Sequence, residues 1–151
     1  MLSQNLPKSL VLSGVISAMA GMATAEADYL NSGAVLPTNL PFSEVVVAGD
    51  TVYLSGQIGN VPGTLELAEG GVTGESRQVM ENIKTSLEAH GYSLENLVKC
   101  TVMLDNISEW GDFNTVYAEY FAPGRFPARA AFGADGLALG AAVEVDCIGV
   151  K

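Results

Sequence analysis

An α+β fold, with one mixed sheet and two helices packed on one of its faces, is predicted by three observations on this sequence. β-prone and helical runs interleave in the order β-β-α-β-α-β-β, with no internal repeat of 20 to 50 residues. Val79, Ile83 and Leu87 recur every four residues and mark one buried stripe of a helix. The strand-like runs carry apolar residues at positions pointing both ways, so the sheet face away from the helices needs its own cover. A subunit interface is the natural one.

In chain order, residues 1–25 differ from everything that follows. Lys8 precedes an apolar stretch from Leu10 to Met22, and Ala23-Thr24-Ala25 has the small-x-small form of a cleavage site. All 17 acidic residues lie after Ala25. The apolar run falls short of the ~20 residues that span a bilayer. These residues are read as a secretory signal peptide preceding a single domain over 26–151, with export to a periplasm-like space. The alternative is an N-terminal amphipathic helix of a cytoplasmic protein.

Glu26 to Pro41, rich in Asn, Ser, Gly and Pro, is expected to wrap the surface. Phe42 to Ala48, a Gly49-Asp50 turn and Thr51 to Ser55 read as a hairpin. Asn60 to Gly71 reads as a loop. Thr73 is expected to cap the first helix, with Glu75 in its first turn to suit the dipole and Gly91 as a left-handed stop. Leu97 to Leu104 is a strand. Ser108 is expected to cap a second helix reaching Phe121, with Trp110, Phe113, Val116 or Tyr117, and Tyr120 as its apolar stripe.

The totals narrow the function. A chain of 151 residues, 48% hydrophobic and 16% charged, with a mean hydropathy of +0.28, makes one domain with a proper core. A net charge of -10 opposes nucleic-acid binding, which draws its affinity from Lys and Arg on phosphates. It gives no help at an anionic membrane either. Small molecules are the expected partners. Cys100 and Cys147 have no metal-binding spacing and read as two small buried side chains. A disulfide between them is the alternative if the protein is exported.

Chemistry concentrates between Phe126 and Val150. A short strand carries Arg129 just after a Pro, and a closing strand presents Glu144 and Asp146 outward. The guanidinium and the carboxylates are expected to face each other. Such a pair can grip a small carboxylic acid and handle a water beside it. Each residue also has a plain structural reading. Arg129 fits a surface ion pair, and Glu144 the solvated side of an alternating strand. Ser55 fits a strand end and Asn114 an exposed helix position. His90, the sole histidine, fits dipole compensation at a helix C-terminus.

Tyr-Leu-Ser-Gly-Gln-Ile (53–58), the helix beginning near Glu75, Val-Lys-Cys-Thr-Val-Met-Leu (98–104), Asn114-Thr-Val-Tyr with Tyr120-Phe121, Phe126-Pro-Ala-Arg129 and Val143-Glu144-Val145 form an ordered set. In order and spacing it resembles the RidA family of reactive-intermediate deaminases, over nearly the whole of 26–151. The resemblance implies a chorismate-mutase-like fold, a homotrimer and clefts between subunits. It implies hydrolysis of 2-imino or enamino acids to 2-oxo acids and ammonia, without metal or cofactor. Arg129 matches the family's carboxylate-binding arginine, and Glu144 the acid that positions water or shuttles a proton. Ser55 and Asn114 match the pocket serine and asparagine, and backbone groups after Ala130 complete the hydrogen bonding. Phe42 stands where many deaminases carry Tyr, and Ala131 where many carry Cys. The Gly-rich Gly133 to Gly140 segment also departs from the pattern. A non-catalytic carboxylate-binding trimer on the same scaffold is the alternative. A ribonuclease is opposed by the acidity and by the lack of a His pair for acid-base cleavage.

Overall fold

The computed structural model describes residues 26–151; the expected signal peptide, 1–25, lies outside the described residues. The strands are β1 (Ala27–Leu30), β2 (Val45–Ala48), β3 (Thr51–Ile58), β4 (Leu97–Leu104), β5 (Ala128–Gly133) and β6 (Val143–Val150). The helices are α1 (Gly71–Ala89) and α2 (Trp110–Ala118). One six-stranded sheet runs β1-β2-β3-β6-β4-β5. Its pairings are antiparallel except β4–β5, whose parallel run is reached through α2 as the crossover. The α+β mixed sheet with two helices is therefore as predicted.

Both helices cover one face. Val79, Ile83 and Leu87 of α1 and Phe113 of α2 are fully buried against Val102, Leu104, Val143 and Val145. Each such side chain contributes about 1.5–3 kcal/mol on leaving water, so the stripe is what fixes α1 to the sheet. The opposite face, with Tyr53 and Phe132 about half exposed, lies open in the single chain. No described helix is long and apolar enough to cross a membrane.

Five details differ from expectation. Ala27–Leu30 is not surface wrapping but a strand paired to β2, because an edge strand needs only backbone partners and can be built from few apolar residues. Helix α1 starts at Gly71 rather than at a Thr73 cap. Gly70 and Gly71 have positive φ (102° and 61°), and a Cβ on Gly74 would overlap the Glu69 carbonyl, so the glycines shape the entry. Glu75 does not serve the dipole in solvent; it is buried and accepts the Ala142 amide at 2.8 Å. Helix α2 ends at Ala118, and its entry is a 3-10 turn (Ile107–Glu109) capped by Asn106, which accepts from Ser108 N and Oγ. Trp110, assigned to the buried stripe, is about half exposed.

Cys100 and Cys147 are buried, as expected, but not as free thiols: they form a disulfide. The β4–β6 register sets them directly opposite one another, with both side chains on the helix face. Neighbouring strands supplied the proximity that spacing in sequence does not reveal.

Candidate functional site: two half-sites on opposite faces of the sheet

Arg129 is placed by β5. The parallel register pairs it with Cys100, whose side chain is in the core, so Arg129 emerges on the helix-covered face at the sheet edge. There it donates to Asn114 Oδ1 of α2. Its guanidinium carbon lies 4.7 Å from the Tyr117 ring centroid and 5.5 Å from that of Phe113. Stacking on these faces holds the fork without using its outer N–H groups. The ion pairs among the described residues are Arg77–Glu119 and His90–Glu44, so Arg129 has no carboxylate partner there. Cavities of about 330 and 280 Å³ flank it, the first bounded by Asn114, Tyr117, Phe126 and Pro127, the second by Ile107, Trp110 and Ala131. In so acidic a chain, an unpaired cation on a cavity wall is set up for an anion from outside.

Sequence reasoning placed Tyr117 only in an apolar stripe. Its ring underlies the guanidinium, and its buried hydroxyl has no partner among the described residues. Burial pushes that hydroxyl's pKa up, against the opposing pull of Arg129. The i, i+3 spacing of Asn114 and Tyr117 on one helix was the available signal.

Glu144 belongs to the other face. Val143 and Val145 are fully buried under the helices, so the residue between them must point away. The β3 strand carries a bulge between Leu54 and Gln57, which presents Ser55 and Gly56 to Glu144. A Cβ on Gly56 would overlap the Glu144 carboxylate, so only glycine leaves the acid this position. Ser55 Oγ donates to Ser43 O at 2.7 Å and keeps its lone pairs for another donor. Burial, with the charge of Asp146 beside it, lifts the Glu144 carboxyl above the ordinary carboxylate range.

Glu144, Ser55 and Gly56 open into a cavity of about 320 Å³. Its remaining wall is apolar: Leu36, Leu40 and Phe42 from one connection, Ile58 at the end of β3, Leu65 from the connection after it, and Ala138 with Leu139. Leu139 has φ 57° and ψ 14°, left-handed backbone that disfavours a branched side chain by about 1–2 kcal/mol. The wall is anchored from behind. Glu44 accepts Ser32 N at 2.7 Å and Ser86 Oγ at 2.6 Å, and its carboxylate meets His90 Nε2 at 3.0 Å. Burial would raise the Glu44 pKa, but these hydrogen bonds outweigh it and hold it below the ordinary value. His90 thus ties α1 to the Phe42 segment as well as ending the helix.

The expected face-to-face pairing of Arg129 with Glu144 does not form within one chain. Strand β4 lies between β5 and β6, and the two side chains leave opposite faces. Asn114 and Ala131 accompany Arg129; Phe42 and Ser55 accompany Glu144. Ala130 pairs with Thr101 and is exposed on the Glu144 face, away from Arg129. Among the described residues no group of His, Cys, Asp and Glu is arranged for a metal ion.

Residues 33–151 match the family model described as Endoribonuclease L-PSP. The 2-iminobutanoate/2-iminopropanoate deaminase of Bos taurus is 40% identical over 111 residues, 74% of this chain and 80% of that protein. The chain belongs to the RidA family. RidA from the Antarctic bacterium Psychrobacter sp. is 36% identical, with a TM-score of 0.73 over 82% of this chain and 98% of its own. Yeast Mmf1 is 30% identical, with a TM-score of 0.77 over 83% and 99%. The matched residues, 33–151, take in β2 to β6 and both helices, including the strands that carry Arg129 and Glu144.

Proposed function

We propose that this RidA-family chain hydrolyses 2-imino and enamino acids to 2-oxo acids and ammonia, at a site completed between copies of the chain. Arg129 of one copy holds the substrate carboxylate while Glu144 of a neighbour manages water. The observation that carries the reading is the split itself. An unpaired, stacked guanidinium and a carboxylate with a raised pKa each line a cavity, and no ligand of amino-acid size reaches both within one chain. A ring of three copies would also cover the open face with Tyr53 and Phe132.

The chemistry follows from those groups. An imine carbon is already electrophilic, so catalysis needs orientation and proton transfer rather than a covalent nucleophile. The Arg129 fork binds the carboxylate bidentately while Asn114 and Tyr117 keep it in place. Glu144 takes a proton from the attacking water and returns it to the departing nitrogen. A carboxyl that burial makes a better proton acceptor suits taking the proton from water. Ser55, its hydrogen committed to Ser43, accepts from the imine N–H or from water. The name of the bovine relative, 40% identical, supports this chemistry.

The family description names an endoribonuclease, yet the one histidine is tied to Glu44 and the chain carries a charge of -10, which suits neither RNA binding nor its cleavage. The disulfide supports the reading of residues 1–25 as an export signal, since such bonds persist in oxidising compartments. N-terminal sequencing of the natural protein beginning at Glu26 would bear that out, and one beginning at Met1 would refute it.

The activity is tested by generating imine in situ with an amino-acid oxidase and following ammonia and 2-oxo acid. Wild type accelerates release, and Arg129→Ala and Glu144→Gln do not. A 2-oxo acid that binds without any imine being turned over would make this a carboxylate-binding assembly instead.

A further inference from the structure

The Glu144 cavity carries more information than the reaction requires. Apart from Glu144 itself, its one polar side chain is Ser55, whose hydrogen is already donated to Ser43. Every other side chain on the wall is apolar. Phe42, Leu65 and Leu139 stand about half exposed at its rim, which is apolar surface left in water until something covers it. At about 320 Å³ the cavity lies at the small end of the ~300–1,000 Å³ typical of ligand sites, enough for one amino-acid-sized molecule. Leu139 is the unusual member. A leucine is held in left-handed backbone between Ala138 and Gly140, where glycine would sit without strain, and its side chain is directed into the cavity wall. Its side chain is outside the hydrophobic core of the described residues.

We propose that this half-site selects 2-imino acids with branched or aromatic apolar side chains, and that Leu139 is a specificity-determining residue for them. The inference rests on the deaminase reading above for its substrate headgroup. With the carboxylate on Arg129 of one copy and C2 beside Glu144 of the other, the substrate side chain extends along the leucines and Phe42. A hydroxyl or amide there finds no partner, and an acidic side chain meets the Glu144 carboxylate. Small side chains leave the rim wet. A pocket of this kind discriminates by about 10-fold or more per missing methylene.

The test compares wild type with Leu139→Gly, Leu139→Asn and Leu139→Met. Gly and Asn tolerate the backbone, so their melting temperatures should stay near that of wild type. Imines of leucine, phenylalanine and alanine are generated by a broad-specificity amino-acid oxidase. Binding of 4-methyl-2-oxopentanoate and of pyruvate is measured by calorimetry on the same proteins. In wild type, kcat/KM for the leucine and phenylalanine imines should exceed that for the alanine imine about 10-fold or more. Leu139→Gly and Leu139→Asn should lose most of that ratio, and Leu139→Met should retain it. A ratio near one in wild type, or an unchanged ratio in Leu139→Gly, overturns the proposal. If wild type turns over no imine, the deaminase reading fails and the binding ratio decides the selectivity. Preferential binding of the branched 2-oxo acid, lost in Leu139→Gly, supports it, and equal binding of the two acids overturns it.

Discussion

If each site takes Arg129 from one copy and Glu144 from another, two inactive variants must rescue each other. Arg129→Ala removes two charge-assisted hydrogen bonds worth about 1.5–3 kcal/mol each, so kcat/KM should fall by about 10² or more. Glu144→Gln removes the proton carrier, a loss of about 10²–10⁴. Within one chain the groups sit two strands apart, roughly 10 Å at ~4.8 Å per strand spacing, and point away from each other. No rearrangement short of unfolding brings them together. When the two variants are mixed one to one and reassembled, half of the sites receive an intact Arg129 and, independently, half receive an intact Glu144. About a quarter of the sites are then whole, whatever the number of copies in a closed ring. The assay is imine hydrolysis before and after joint unfolding and refolding, with Arg129→Ala plus the double variant as a control that stays inactive. Recovery to about a quarter of wild-type activity is expected. A mixture no more active than its separate components would refute the shared site.

Other perturbations test the supporting framework. Gly56→Ala should leave the fold nearly as stable, since the added methyl meets only the movable Glu144 side chain, but should lower kcat by displacing that carboxylate. Gly59→Ala should instead destabilise the fold, by about 1–3 kcal/mol in urea titration, because its Cβ would lie 2.8 Å from the Glu75 Cα. Glu75→Gln tests a pH dependence. Burial chiefly, and Glu109 beyond it, raise the Glu75 pKa, against the opposing Ala142 amide bond. Below the unfolded value of ~4.3 both states hold the proton, so variant and wild type should melt alike. As the pH climbs through the raised folded value, wild type loses stability relative to Glu75→Gln, and a difference that fails to grow from pH 4 to 8 refutes the assignment. Joint Cys100→Ala and Cys147→Ala substitution opens a 47-residue loop and should cost up to about 4 kcal/mol in urea unfolding. No change in the midpoint would show that the bond does not contribute.

How much of the site was legible depended on the range of the forces involved. Val79, Ile83 and Leu87 revealed α1 because a helix buries a face whose period is local. The start of that helix was missed because Thr73 has the composition of a cap, while the fold used the backbone freedom of Gly70 and Gly71 instead. Ser108 misled in the same way, acting as a donor to Asn106 rather than as the cap. Strand β1 escaped notice because Ala27–Leu30 is held by backbone pairing to β2, which composition does not record. Glu75 and Tyr117 were assigned by helix position alone, and each turned out to face a partner distant in sequence: Ala142 in one case, Arg129 in the other.

The sequence by itself determined the residue types of the chemistry: one arginine after a proline, one acid between two valines, a serine at a strand end, in a chain too acidic for nucleic acid. Alternation within β6 even settled that Glu144 points away from the buried side, since a period of two is a property of the strand alone. Which face Arg129 takes was decided only by tertiary structure, through the parallel register that sets it beside Cys100 and through α2, whose rings hold the guanidinium. Register and strand order arise from burial summed over the whole sheet, so no local pattern contains them. That global choice is what separates the two charges and sends them to opposite faces of the sheet.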